Sequence, residues 1–204
     1  MEPKLFSDAD MAGFHVSARP SPHPFTDLID HHVVVLDNEA ATFLFRMLLE
    51  TTPWARRSLK LYGKEVGMLR DIAWYGASKE QVVYSADARP KPHHRLEVKA
   101  QVEERTVFPY NVCLCNLYRD GSNPVAWHCH KEAFGGAVAL LSLRATRMFR
   151  VLNKSDHALP FDFPLPSDPL LLMKPGCQEH SEHCVPKTKR PVGPRIKHTL
   201  RKVR

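Results

Sequence analysis

The sequence predicts a mainly β fold with flanking helices, and three observations carry that prediction. Short β-rich runs recur at Val82-Val83-Tyr84, Val112 to Tyr118, Val138 to Leu143, Met148 to Leu152 and Leu170 to Met173, separated by Pro, Gly, Asn or Asp. A single strong helical stripe lies ahead of them. The chain of 204 residues, 43% hydrophobic and 25% charged, is long enough to bury one core of barrel or sandwich size without disulfide staples.

Taken in order, residues 1–32 carry Pro20, Pro22, Pro24 and the pair His31-His32 with little periodicity, and read as an extended N-terminal leader before a domain over 33–204. Asp37 is placed to cap a helix over about 38–51, where Ala40, Phe43, Leu44, Met47 and Leu48 recur at helical spacing and Pro53 forbids continuation. That stripe is expected to pack on the core. The proline-rich stretch from Pro160 to Pro169 reads as a loop between strands. No internal repeat, heptad run or low-complexity tract interrupts the pattern.

Composition narrows the function classes. No stretch approaches the roughly 18 apolar residues of a membrane span, and the N-terminus opens no secretion signal, so an intracellular protein of nucleus or cytoplasm with no membrane partner is expected. The five cysteines are odd in number, scattered and without a CxxC pair, which argues against a disulfide framework or a zinc finger. The net charge is +7, and eight of the 29 lysines and arginines but none of the 22 acidic residues fall from Val185 onward. The excess positive charge is therefore C-terminal, where it attracts polyphosphates or acidic ligands.

Among 12 histidines, His128 and His130 stand two apart and point the same way if their segment is extended. The order is a strand with Asn116 and Tyr118, a Gly-containing turn, the His128/His130 pair, several strands, then a distant His183 followed by Arg195 and Arg201. This is the layout of a double-stranded β-helix (jelly-roll) iron site, whose general form is two histidines and one carboxylate on one face of the metal. Arg195 and Arg201, six apart, share a strand face and can pair with a dicarboxylate through their guanidinium forks. Read alone, the histidine pair has a second reading as a polar strand end.

At these residues the sequence resembles the AlkB family of iron(II) and 2-oxoglutarate dependent nucleic-acid demethylases, most closely its eukaryotic DNA-repair branch, over roughly residues 58–204. Asn116-Leu117-Tyr118-Arg119-Asp120-Gly121 resembles the family's N-x-Y-x-D-G segment, His128 matches its first metal histidine and His183, three residues before Pro186, its second. Arg195-Ile196-Lys197-His198-Thr199-Leu200-Arg201 is similar to the closing R-x-N-x-T-F-R strand. The resemblance implies that Asn116, Tyr118, Arg195 and Arg201 hold 2-oxoglutarate, with Arg195 on its distal carboxylate. Leu61-Tyr62-Gly63-Lys64, Arg70, Ala73-Trp74-Tyr75-Gly76 and Val83-Tyr84-Ser85 resemble a nucleotide-recognition lid over about 58–95. By that likeness Tyr62 wedges into the base stack, Tyr75 and Tyr84 contact the flipped base or phosphates, and Glu132 accepts from the base's exocyclic amine. Tyr75 and Tyr84 read equally well as buried tyrosines.

Two departures stand out. His128-Cys129-His130 replaces the family's H-x-D, so the carboxylate ligand becomes His130; reading His130-Lys131-Glu132 as H-x-E restores a carboxylate but breaks the spacing from Asn116. A neutral imidazole there removes a negative charge from the metal, and a three-histidine site suits zinc or copper as well as iron. The second departure is Lys197 for asparagine, a cation either beside the co-substrate or pointing outward.

The resemblance implies a monomeric dioxygenase using Fe(II), 2-oxoglutarate and O2, with iron on His128, His183 and His130. It would remove N-linked alkyl groups from bases in nucleic acid, DNA more than RNA, while Lys187, Lys189 and Arg190 meet phosphates. A catalytically impaired nucleic-acid-binding protein and an oxygenase acting on protein or a small molecule are the alternatives.

Overall fold

The computed structural model describes residues 26–61, 64–76, 93–155, 160–167 and 169–203. A helix over Asn38–Thr51 (α1) follows a strand Ile29–Val34 (β1), and strands Ala55–Leu61 (β2) and Lys64–Gly76 (β3) form a hairpin. A second helix, His93–Thr106 (α2), leads to strands Val112–Tyr118 (β4), Val125–His128 (β5), Val138–Arg144 (β6) and Arg147–Asn153 (β7). Strands Phe161–Leu165 (β8) and Pro169–Met173 (β9), the short helix Cys177–His180 (α3), and strands Ser181–Val185 (β10) and Arg195–Arg201 (β11) complete the chain. One sheet has seven strands in the order β1-β9-β6-β11-β4-β3-β2, the other four in the order β5-β10-β7-β8. All pairings are antiparallel, and the mainly β jelly-roll expectation holds.

Alternation along the strands divides the interior into two layers. On β11, Ile196 and Leu200 join Leu44, Phe45 and Leu48 of α1 and Val98 and Val102 of α2 on one face of the large sheet. Residues of the opposite parity face the other sheet, where Val138, Leu140, Leu171 and Met173 meet Phe149, Val151, Phe163 and Val185. Fully burying a side chain such as Leu48, at 0% exposure, contributes about 2 kcal/mol.

The α1 boundaries follow from chemistry legible in the sequence: the Asp37 carboxylate accepts the Ala40 N–H at 2.7 Å, and Thr52 and Pro53 end the helix. The buried face, however, is Ala41, Leu44, Phe45 and Leu48, and Phe43 is 69% exposed. Phe43 and Phe45 sit about 200° apart on a helix of 3.6 residues per turn, so only one can face the sheet. Helix α2 was not expected, because its buried residues among those described are only Val98, Val102 and Thr106, too thin a stripe to register as periodic.

Three further expectations are corrected or fall outside view. The stretch from Pro160 to Pro169 holds strand β8, in which Pro164 lies opposite Met148. β8 is an edge strand, and an edge tolerates a residue without a backbone N–H. The last four residues of the expected leader, 29–32, are part of β1, paired with β9. The run Val82-Val83-Tyr84 lies outside the described residues, as do residues 1–25.

Candidate metal centre and anion pocket

His128 ends β5 directly opposite His183 on β10, so a single antiparallel register brings residues 55 apart in sequence side by side. Their ring centroids are 4.3 Å apart. His130 has left the strand and precedes a single 3-10 turn, Lys131–Ala133, yet its ring lies 5.2 Å from His128 and 5.1 Å from His183. The Gln178 Oε1 accepts the His130 N–H at 2.8 Å and fixes that turn, while Phe149 stacks on the His183 ring at 5.1 Å. The three histidines offer ligand atoms all within 4.8 Å of one another.

Protonation decides what each ring can offer. Burial first, then the positive charge of Lys197, pushes the His128 imidazole down to about 4, and burial pushes His130 and His183 well below the usual range. All three are neutral at pH 7, as metal ligands must be. His128 Nδ1 lies 2.8 Å from the Ala126 carbonyl, which can only accept, so Nδ1 carries the proton and Nε2 keeps its lone pair. Both His183 nitrogens are buried without a hydrogen-bond partner among the described residues. His130 is different: Arg201 Nη1 donates to its Nδ1 at 2.6 Å, and a guanidinium cannot accept, so the proton of this ring sits on Nε2. His128 and His183 therefore present lone pairs at once, and His130 presents one only when Nδ1 gives up Arg201.

The cationic half of the site comes from β11. Its register sets Arg195 against Tyr118, Lys197 against Asn116 and Arg201 against Val112 on β4, and Lys197 against Ser142 on β6. Arg195, Lys197 and Arg201 are 0%, 3% and 1% exposed. Arg195 Nη2 donates to Ser142 Oγ at 2.6 Å and its guanidinium lies 5.4 Å from the Tyr118 ring. Arg201 stacks over Trp74 at 5.2 Å and meets the Glu132 carboxylate. Asn116 Oδ1 accepts from Arg70 Nε at 2.8 Å. Burial lowers Arg195 to about 10 and Lys197 to about 8. For the Tyr118 phenol burial alone acts upward, but Lys197, Arg70, Arg195 and Arg147 together hold it below its usual range. Lys197 thus points inward, against the outward reading of that departure.

Not every expected residue joins this arrangement. Tyr75 faces the opposite side of the large sheet, lining a small apolar cavity with Val98, Cys113 and His198, because on a strand its neighbour Trp74 takes the interior face. Tyr75 is thereby corrected from substrate contact to packing residue. Tyr62 and Tyr84 lie outside the described residues. Lys187, Lys189 and Arg190 are exposed in the loop from 186 to 194, which follows β10 and lies outside the strands that carry His128 and His183. Lys187 and Arg190 line a groove with Arg147 and Arg150. That loop docks on the Gly121 turn, where Thr188 N–H donates to the Gly121 carbonyl at 3.0 Å and a Cβ on Gly121 would come within 2.7 Å of Thr188 Cγ2. Glu132 is half-buried against Arg201 and His130, its Oε1 lying 3.7 Å from His130 Nδ1.

Sequence reasoning missed Ser142 and Gln178. Ser142 had a signal, a lone polar residue in the apolar run 138–143; Gln178, 48 residues from His130, had none.

Donor set and pocket together fit a divalent metal with an anionic co-ligand: buried neutral imidazoles beside buried guanidinium and ammonium groups. Residues 30–203 match the model of the 2OG-Fe(II) oxygenase superfamily. The chain is 33% identical over 183 residues to the Alpha-ketoglutarate-dependent dioxygenase alkB homolog 3 of Bos taurus, covering 82% of this chain and 63% of that relative. It thus spans somewhat less than two thirds of that relative's length. It is 27% identical to the DNA oxidative demethylase ALKBH2 of Mus musculus over 84% of this chain and 79% of the relative. The solved structure of OsALKBH1 superposes with a TM-score of 0.63 at 15% identity, covering 85% of this chain and 97% of that one, and so shares the fold. With the family match running over residues 30–203, the chain belongs to the 2OG-Fe(II) oxygenase superfamily, and the relatives it is similar to are AlkB homologues.

Proposed function

We propose that the protein is an Fe(II)- and 2-oxoglutarate-dependent dioxygenase that removes N-linked alkyl groups from bases in nucleic acid, DNA in preference to RNA. One observation carries the reading: neutral imidazoles of His128 and His183, with His130 beside them, converge within reach of the buried charge of Lys197, whose strand sets Arg195 against Tyr118 and Lys197 against Asn116. His128 and His183 would hold the iron, with His130 as a third, conditional ligand. The chemistry that metal and co-substrate would supply when bound is oxidative: O2 is the oxidant, one of its oxygen atoms entering the N-linked alkyl carbon and the other the succinate formed from 2-oxoglutarate with loss of carbon dioxide, and the hydroxylated group would then leave as an aldehyde.

The chain's own residues do the rest. Arg195, with Ser142 fixing one of its N–H groups, takes the distal carboxylate of the co-substrate through its remaining donors. Arg70 orients the Asn116 amide, and the Phe149 face keeps the His183 ring from rotating. Glu132 offers carboxylate oxygens near the metal to an exocyclic amine, and Lys187, Lys189 and Arg190 meet phosphates. The name of the mouse relative, a DNA oxidative demethylase, and the likeness of 73–76 to the DNA-repair branch support DNA.

A second reading, an AlkB-like protein that binds nucleic acid without turnover, is favoured by the Arg201 hydrogen bond that keeps a proton on His130 Nε2. The purified 204-residue chain, reconstituted with Fe(II) and given an N-methylated single-stranded oligonucleotide, is expected to release succinate in step with restored base. Stoichiometric iron and bound oligonucleotide without succinate would overturn the enzymatic reading in favour of the second.

A further inference from the structure

Two interior cations have no carboxylate beside them among the described residues. Arg195 is wholly buried, and its Nε and Nη1 have no hydrogen-bond partner among the described residues. Lys197, two positions along β11 on the same face, is 3% exposed. The groups bearing on the charge of Arg195 are Tyr118 and Arg147, and on that of Lys197 they are Tyr118, Arg195 and Arg70. None of these is a carboxylate, and the one acidic group among them is the Tyr118 phenol, held below its usual range by these same cations, whereas the guanidinium of Arg201 meets Glu132. Ser142 accepts one Arg195 N–H and Tyr118 bears on both cations, but a buried charge without a carboxylate partner is disfavoured, so an anion entering beside Arg195 and Lys197 would compensate both. The metal end is less ready, because His130 is committed to Arg201.

We propose that Lys197, standing where the family pattern has asparagine, joins Arg195 as a paired anchor that lets this chain bind 2-oxoglutarate in the absence of metal. The inference rests on the co-substrate reading above and adds an order to it: diacid binding precedes metal rather than depending on chelation. Arg195 supplies a planar fork and Lys197 a compact point charge, complementary ways to hold a carboxylate.

The test is titration calorimetry of the full chain with 2-oxoglutarate, once in EDTA and once with Mn(II) as a redox-inert stand-in for iron. Wild type is expected to bind under both conditions. In EDTA, Lys197→Asn and the longer neutral variant Lys197→Gln should each weaken binding by at least about tenfold, the usual worth of a charged hydrogen bond. With Mn(II), both variants should keep measurable affinity. Binding by wild type only with Mn(II), or equal affinity of wild type and a folded neutral variant in EDTA, overturns the proposal and leaves the co-substrate reading intact. No binding by wild type under either condition overturns the co-substrate reading as well. A Lys197→Met chain that melts higher than wild type without ligand would support an uncompensated charge; a structural ion pair would make it melt lower.

Discussion

Arg201 shows how much one side chain decides. The same guanidinium stacks on Trp74, meets Glu132 and donates to His130 Nδ1, so it sets the tautomer of a histidine 71 residues away in sequence. By the resemblance, this imidazole stands where the family's H-x-D has its carboxylate; it accepts the hydrogen bond as a neutral group, and a metal held here would meet one negative charge fewer. A different residue stores avoidable strain. Val107, just past α2, has φ 57° and is 84% exposed, a left-handed conformation that a β-branched side chain disfavours. Its N–H nevertheless donates to the Glu103 carbonyl at 2.8 Å, the bond that closes a helix C-terminus of this kind. Val107→Gly is expected to stabilise the protein by about 1 kcal/mol, read as a higher urea midpoint at unchanged m-value. A lower midpoint would show that this turn is not strained.

At the scale of elements, caps and edges matter more than propensity. Helix α1 depends on the Asp37 carboxylate at its N-terminus, and Asp37→Ala should cost about 1 kcal/mol, measured by thermal or urea unfolding, while Asp37→Ser should recover most of it. Equal losses for both substitutions would mean the cap hydrogen bond contributes little. Strand β11 is the element on which fold and site meet: its even-numbered residues 196 and 200 lie in the core beneath the helices, and its odd-numbered residues 195, 197 and 201 build the anion pocket. It sits between β4 and β6, paired on both edges over its full length, which holds three charged side chains in place without loops. The same two-residue period removes Tyr75 from the site and puts Trp74 into it.

For the whole molecule, burying three histidines together makes stability depend on pH. In the unfolded chain each takes a proton near pH 6.5; in the folded chain His128 resists until about 4 and the other two further still, with burial the leading cause in each. The unfolded state therefore binds more protons below pH 6.5, and the stability present above that value is lost as pH falls toward 4, by at most about 1.4 kcal/mol per histidine per pH unit. Urea unfolding in EDTA should show a distinctly lower midpoint at pH 5 than at pH 7, and equal midpoints would contradict the buried neutral cluster. The charge on the outside gives a separate expectation. Replacing Lys187, Lys189 and Arg190 by alanine should reduce the salt dependence of oligonucleotide binding by a slope of about 2 to 3, since every phosphate that is no longer neutralised by the protein keeps its counterion. An unchanged slope would remove this loop from the interface.

Much of this arrangement was legible in the sequence, because local chemistry or spacing specifies it. The Asp37 cap with its Pro53 stop, the strand runs at 112–118 and 138–143, and the shared face of Arg195 and Arg201 follow from hydrogen bonding and from the two-residue period of an extended chain. The residue types at 128, 183, 195 and 201 indicated a metal and a diacid. Other features belong to contacts between segments distant in the chain, which no local pattern encodes. The rotation of α1 that exposes Phe43, the tolerance of Pro164 at a sheet edge and the grip of Arg201 on His130 were decided only when the two sheets closed on each other. Spacing tells which way a side chain points from its own strand; only the packed structure determines what it meets, and therefore where its proton and its charge reside.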